Sequence, residues 1–349
     1  MQIFYRKFGT SRKFGVELEI GNEIKKPIIR KLIKSKSEKA IQTSRYSPSI
    51  NNSWWHVKDD ATCGPAGRGG PRGIEVASFV ASGVDDLLHI CEVADFLKES
   101  GAKVNDNCGL HIHADASDIS ESQMGRILSS WIKIEGFLSL ALPFRRHDNP
   151  YCERLSSKNS NKLTSLMEKH PSLEDQIAKA LYQIVRPLDI SIYENRDRRV
   201  TLNLVNYCRA IEQKHSNRKT IELRWPEGTL SGEDIKNWVR LFLNFIEHAK
   251  NAPLQRNEDF PSLQEGLNIL GLGHQNGFCI LSEGLLATKT WLLERMLKNP
   301  DLYKIRIFEG FRRVQSSCPV INIFGPQDIV NHLNFLWQPV KNYSLEKDK

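Results

Sequence analysis

Several absences narrow the field before any motif is found. The longest strongly apolar stretch, Phe137 to Phe144, falls far short of the roughly 20 residues a bilayer-spanning helix needs. The opening MQIFYRKFGT carries no apolar signal core, so a soluble chain in the cytoplasm, with no membrane partner, is expected. Seven cysteines (63, 91, 108, 152, 208, 279 and 318) are odd in number and never form a CxxC. That pattern suits neither a disulfide framework nor a structural zinc site, and they read as reduced thiols. No GxxxxGK[ST] is present, which excludes an ordinary P-loop, and no strand–GxGxxG–helix suggests a dinucleotide fold. NILGLGHQNG at 268–277 is too weak to revive either, and neither low-complexity tracts nor internal repeats are found.

What is there is ordinary in bulk: 349 residues, 40% hydrophobic and 26% charged, enough for a sizeable core. The net charge of +8 suggests nucleic acid at first sight. Residues 1–46, however, hold 12 Lys/Arg and 4 Asp/Glu, while the remaining 303 hold 37 of each, so the whole excess sits in the first segment. Nucleic acid is therefore a disfavoured partner. The basic segment 25–45, notably Lys25, Lys26, Arg30, Lys31, Lys34, Lys36 and Lys39, could attract an acidic partner, although charge runs are most often solvated helix faces.

Several short segments alternate apolar and polar residues, the period of strands with one face buried. In KFGVELEI, Phe14, Val16, Leu18 and Ile20 share one face and Glu17 and Glu19 the other. CGLHIHAD sets His111 and His113 opposite Leu110, Ile112 and Ala114, and KTIELRW sets Glu222 and Arg224 opposite Ile221, Leu223 and Trp225. GIEVASF places Glu75 against Ile74 and Val76, and VTLNLVN places Asn203 against Leu202 and Leu204. Helical periodicity covers Ser120 to Leu138, with a Ser120/Gln123 capping box, and Ser231 to Ile246. Further helices are expected near 84–99, 173–186, 282–297 and 327–336. Parallel strands buried on both faces would read as continuous apolar runs, and these do not. The expectation is an α+β fold: a mostly antiparallel sheet with helices on one face and an open cleft on the other. GPAGRGGPRG (64–73), with five Gly and two Pro, is the flexible element. Residues 1–250 would form the catalytic domain, followed by a mostly helical region, 251–349.

The polar strand faces together carry Glu17, Glu19, Glu75, His111, His113, Glu222 and Arg224. Any one of these has a bland reading, since E-x-E is commonly a solvated face and Glu222 could simply pair with Arg224. Collectively they concentrate ligands. Clustered carboxylates raise one another's pKa unless something positive sits among them, which makes a divalent cation their natural partner. Mostly oxygen donors with imidazole suit Mg²⁺ or Mn²⁺ better than zinc.

FGVELEI, WWHVKDDAT, GIEVAS, CGLHIHAD and TIELRWPEGTL, in that order, resemble the amidoligases, a group related to glutamine synthetase and to glutamate–cysteine ligases. The resemblance covers roughly residues 13–245 and implies a glutamine-synthetase-like sheet curved around a catalytic funnel. It implies use of ATP to phosphorylate a carboxylate, after which an amine displaces phosphate to give an amide or isopeptide bond, with a peptide, a protein or a small metabolite all open as substrates. It further implies that Glu17, Glu19, Glu75, His111 and Glu222 ligate metal, and that His113 and Asn203 contact nucleotide. Arg224 would meet the phosphoryl group or the substrate carboxylate, and Asp60 or Glu75 would accept the amine proton. The acidic motif commonly reads Asp-Gly-Ser, whereas here it reads Asp60-Ala61-Thr62, with Asp59 as a competing register. Two rivals stand against this reading. A metal-dependent hydrolase could use the H-x-H strand and would ignore nucleotide. A non-enzymatic polyanion binder would show strong salt dependence and no need of Glu17 or Glu222.

Overall fold

The computed structural model describes residues 11–22, 24–42, 52–64, 72–147, 149–156, 165–166, 174–187, 198–212, 219–255, 260–273, 283–302, 305 and 326–337. Most of the Gly-rich segment and part of 268–277 lie outside these residues.

The alternating segments do form strands: β1 (Phe14–Ile20), β2 (Ile41–Gln42), β3 (Trp55–Asp60), β4 (Gly73–Ala77), β5 (Leu110–Asp115), β6 (Leu202–Asn203) and β7 (Thr220–Leu223). They build one seven-stranded sheet in the order β2-β3-β4-β1-β5-β7-β6, antiparallel at every pairing except β2 with β3. The fold is thus mixed α and β with a largely antiparallel sheet. VTLNLVN departs from expectation. Only Leu202 and Asn203 join the sheet, with Val200 in an isolated bridge to Glu153, because Asn203 Oδ1 accepts the Val205 amide at 2.9 Å and turns the chain into a helix.

The helices are α1 (Lys26–Lys36), α2 (Gly83–Glu99), α3 (Glu121–Ser139), α4 (Glu174–Val185), α5 (Val205–Glu212), α6 (Gly232–Ala249), α7 (Leu263–Ile269), α8 (Glu283–Lys298) and α9 (Pro326–Trp337). The Ser120/Gln123 box closes α3 as the sequence predicts, and Ser231 caps α6 by accepting the Asp234 amide. None of these helices is long and apolar enough to cross a membrane. α1 buries Ile29 and Ile33, while Lys25, Arg30, Lys31, Lys34, Lys36 and Lys39 are exposed, the solvated basic face that charge patterning suggested.

Register explains why one sheet face is dry. Val57, Val76, Leu18 and Leu110 align across β3, β4, β1 and β5, and Val16, Ile112, Leu223 and Leu202 align across β1, β5, β7 and β6. All eight are buried, each contributing roughly 1.5–3 kcal/mol of apolar transfer. α1 and α2 pack together, α2 packs on α6, and α6 reaches β5, α3, α7 and α8. One continuous core runs from Phe14 to Ile329, so the helices beyond residue 250 share it with the sheet. Buried Arg12, just before β1, donates to Glu247 of α6 at 2.7 Å and pairs with Asp118 at 2.6 Å, tying strand to helix layer.

Candidate metal and nucleotide site

The same register that dries one face lines up the polar side chains on the other. Glu19 stands opposite Glu75 and Glu75 opposite Lys58, while Glu17 stands opposite His111. One step along the sheet, His113 faces Glu222, which faces Asn203. Side chains far apart in the chain therefore meet because strand side chains alternate and β1 is the middle strand. Glu17, Glu19, Glu75, His111, His113, Asn203 and Glu222, all expected from the sequence, are brought together.

The contacts are close. His111 Nδ1 lies 3.1 Å from Glu17 Oε2, and its Nε2 lies 3.7 Å from Glu19 Oε1. His113 Nε2 lies 3.1 Å from Glu17 Oε1 and 3.9 Å from Glu222 Oε1. Asn203 Nδ2 donates to Glu222 Oε2 at 2.6 Å, and the Arg224 guanidinium pairs with Glu222 Oε1. The Gly109 amide donates to Glu19 Oε2 at 2.6 Å. Glu19, Glu75, His111 and Glu222 are only 1–6% exposed and form a floor. Glu17, His113 and Arg224, with side chains 17–21% exposed, stand at its mouth.

Burial and charge compete at each carboxylate. Burial alone would raise Glu17, but the charge of His113 and hydrogen bonds from both histidines hold it well below the usual range. Glu222 is likewise resisted by burial, yet Arg224, His113 and His111 bring it down to about 2. Glu19 goes up through burial. Glu75 is pushed up to about 8, by burial first and then by the Glu17 charge, with Lys58 opposing. Two of the four carboxylates are thus pushed up by burial, while the cations beside the other two hold them down.

Alternation along β3 sends Asp59 and Asp60 to opposite faces. Asp59 points to the helix side and pairs with Lys26 of α1 at 2.6 Å. Asp60 shares the parity of Lys58, and its Oδ1 accepts the Thr62 amide and hydroxyl, each at 2.6 Å. Its charge acts on Glu19, Lys58 and Glu75, which places it at the cluster.

Two cations at the site escaped sequence reasoning. Lys58 could have been found, since WHVKDD puts it on the parity of Asp60. Arg146 could not. It is 3% exposed in a 3₁₀ turn (Phe144–Arg146) and donates to the Arg224 and Trp225 carbonyls at 2.9 and 3.0 Å. A Cβ on Gly109 would lie 3.0 Å from His111 Nε2, a tight approach, and 3.5 Å from Arg146 Nη2, an ordinary contact.

The buried carboxylate–imidazole cluster on the polar face of this mixed sheet marks the candidate site. The family described as “Putative amidoligase enzyme” matches residues 10–246, and the chain belongs to this amidoligase family. The match spans all seven strands and runs to α6. Membership points to an enzyme of the ligase class. No curated protein matches the chain.

Proposed function

We propose that the chain is an ATP-dependent carboxylate–amine ligase working through an acyl phosphate. One observation carries this reading: four carboxylates and two imidazoles from four strands converge on one sheet face in a chain of the amidoligase family.

The donor set fits hard divalent ions. Glu17, His113 and Glu222 offer ligand atoms all within 4.8 Å of one another. The oxygen-rich composition suits Mg²⁺ or Mn²⁺, held by Glu17, Glu19, Glu75, His111 and Glu222. Bound ions would screen the triphosphate from the approaching carboxylate.

The chain's own residues supply the rest. Arg224, at the mouth, presents a planar fork to phosphoryl oxygens or to the substrate carboxylate. Asn203, 2% exposed and bonded to Glu222, fixes that carboxylate's orientation on the nucleotide side, where His113 also faces. The γ-phosphoryl group moves to a carboxylate oxygen, releasing ADP. The amine nitrogen then attacks the acyl carbon, the carbon–oxygen bond to phosphate breaks, and phosphate leaves. The amine proton passes to Glu75 or Asp60.

The test is co-crystallisation with a non-hydrolysable ATP analogue and Mg²⁺, paired with an assay of ADP release. Metal density against Glu17, Glu19, Glu75, His111 and Glu222, and ADP formed only with carboxylate and amine present, are expected. Amide hydrolysis without nucleotide would transfer the site to the hydrolase reading.

A further inference from the structure

We propose that Glu19, Cys63 and Cys108 form a binding site for a thiophilic divalent ion of the zinc class. One ligand atom from each lies within 4.8 Å of the other two, and the three residues are 5, 0 and 1% exposed. Spacing could not reveal this site, because Cys63 lies in the turn after β3 and Cys108 just before β5. Sheet register brings both to the end of β1.

The two sulfurs sit in different surroundings. Cys63 Sγ lies 3.8–4.0 Å from the carbonyl oxygens of Ile20, Asp60 and Ile74, beside Cys108 Sγ. Cys108 Sγ lies 3.4 Å from the Asn105 amide that donates to it, the outer support a ligating sulfur receives. Asn105 Nδ2 donates to the Gly21 and Cys63 carbonyls at 2.9 and 3.1 Å, so one side chain braces both cysteine loops.

Backbone packs directly on both cysteines. A Cβ on Gly73 would fall 2.6 Å from Cys63 Sγ, one on Gly21 2.8 Å from Cys108 Sγ, and one on Gly228 2.4 Å from Cys108 Cβ. Three glycines thus let the chain close around the pair and limit the room for either sulfur to turn away. Two sulfurs and one carboxylate select zinc-class ions over Mg²⁺, with the fourth tetrahedral corner left to water or to His111 Nε2, 3.7 Å from Glu19 Oε1. Binding displaces the two thiol protons to solvent, so no oxidant or reductant enters. Glu19 belongs to both donor sets, and an ion at the thiols would compete for it with the harder ions, a consequence that rests on the ligase reading. Binding itself needs no nucleotide.

The experiment is Co²⁺ titration of the reduced, full-length protein in excess Mg²⁺ without ATP, following the sulfur-to-cobalt charge-transfer absorption. One equivalent should develop the band in the native protein and in Cys91→Ser. Cys63→Ser and Cys108→Ser should weaken the affinity on the order of 100-fold or more. A band that survives in both variants, or none in native protein whose thiols titrate as free, overturns the proposal. Because these buried variants could misfold, zinc-edge X-ray absorption on the zinc-loaded native protein gives a second readout. Two sulfur neighbours at about 2.3 Å support the site, and a shell of only nitrogen and oxygen overturns it. Neither result depends on catalysis, so failure of the ligase reading and failure of this site are distinguishable.

Discussion

Lys58 and Glu75 face each other across the β3–β4 pair, with the lysine Nζ 2.6 Å from the glutamate Oε1. Even with this cation beside it, burial and the neighbouring Glu17 keep the Glu75 carboxyl at about 8. A carboxyl raised from its unfolded value of 4.5 contributes stability that is complete below 4.5 and lost as pH rises through about 8. With divalent ions chelated, native protein should lose thermal stability between about pH 5 and pH 8.5 more steeply than Glu75→Gln. Scanning calorimetry across that range checks it, and parallel curves would contradict the assignment.

Asp59 and Asp60 should respond oppositely to the same change. Asp59→Asn removes a half-exposed ion pair with Lys26 and should cost at most about 1 kcal/mol, with ATP turnover near native. Asp60→Asn should leave stability close to native and reduce turnover by about 100-fold. Steady-state kinetics on the two variants decide which aspartate the WHVKDD motif contributes.

Glu17 touches both histidines, so Glu17→Gln strips charge from the centre of the cluster. Turnover should fall on the order of 10³-fold with the circular dichroism spectrum unchanged. Full activity in this variant would remove Glu17 from the mechanism.

Gly125 in α3 tests the helix layer. A Cβ there would lie 1.8 Å from the Ala178 carbonyl oxygen of α4, a clash with backbone that no rotamer relieves. Gly125→Ala should destabilise by about 3 kcal/mol, read from urea unfolding. A change within 0.5 kcal/mol would mean that the α3–α4 contact is looser than described.

The site was legible where chemistry followed a strand's alternation. Glu17, Glu19, His111 and His113 each lie on the face that a period of two assigns, and the long helices fall within a residue or two of their periodic patterns. Alternation failed at VTLNLVN, where one side-chain amide turns the chain after two paired residues. Asp59 and Asp60 are harder to rank from the sequence, because only Trp55 and Val57 mark the apolar parity of their segment. Arg146 and the Cys63/Cys108 pair were invisible for a different reason. They reach the cluster from turns, and only the sheet's register brings those turns beside β1.

The middle placement of β1 has a further consequence. A strand hydrogen-bonded on both sides opens only when the whole domain opens, so amide exchange at Glu17 and Glu19 should be among the slowest in the molecule. Asn203 sits on a two-residue strand at the rim, where fraying is cheapest. The carboxylates on β1 are therefore held by the most persistent part of the fold, and Asn203 by its border.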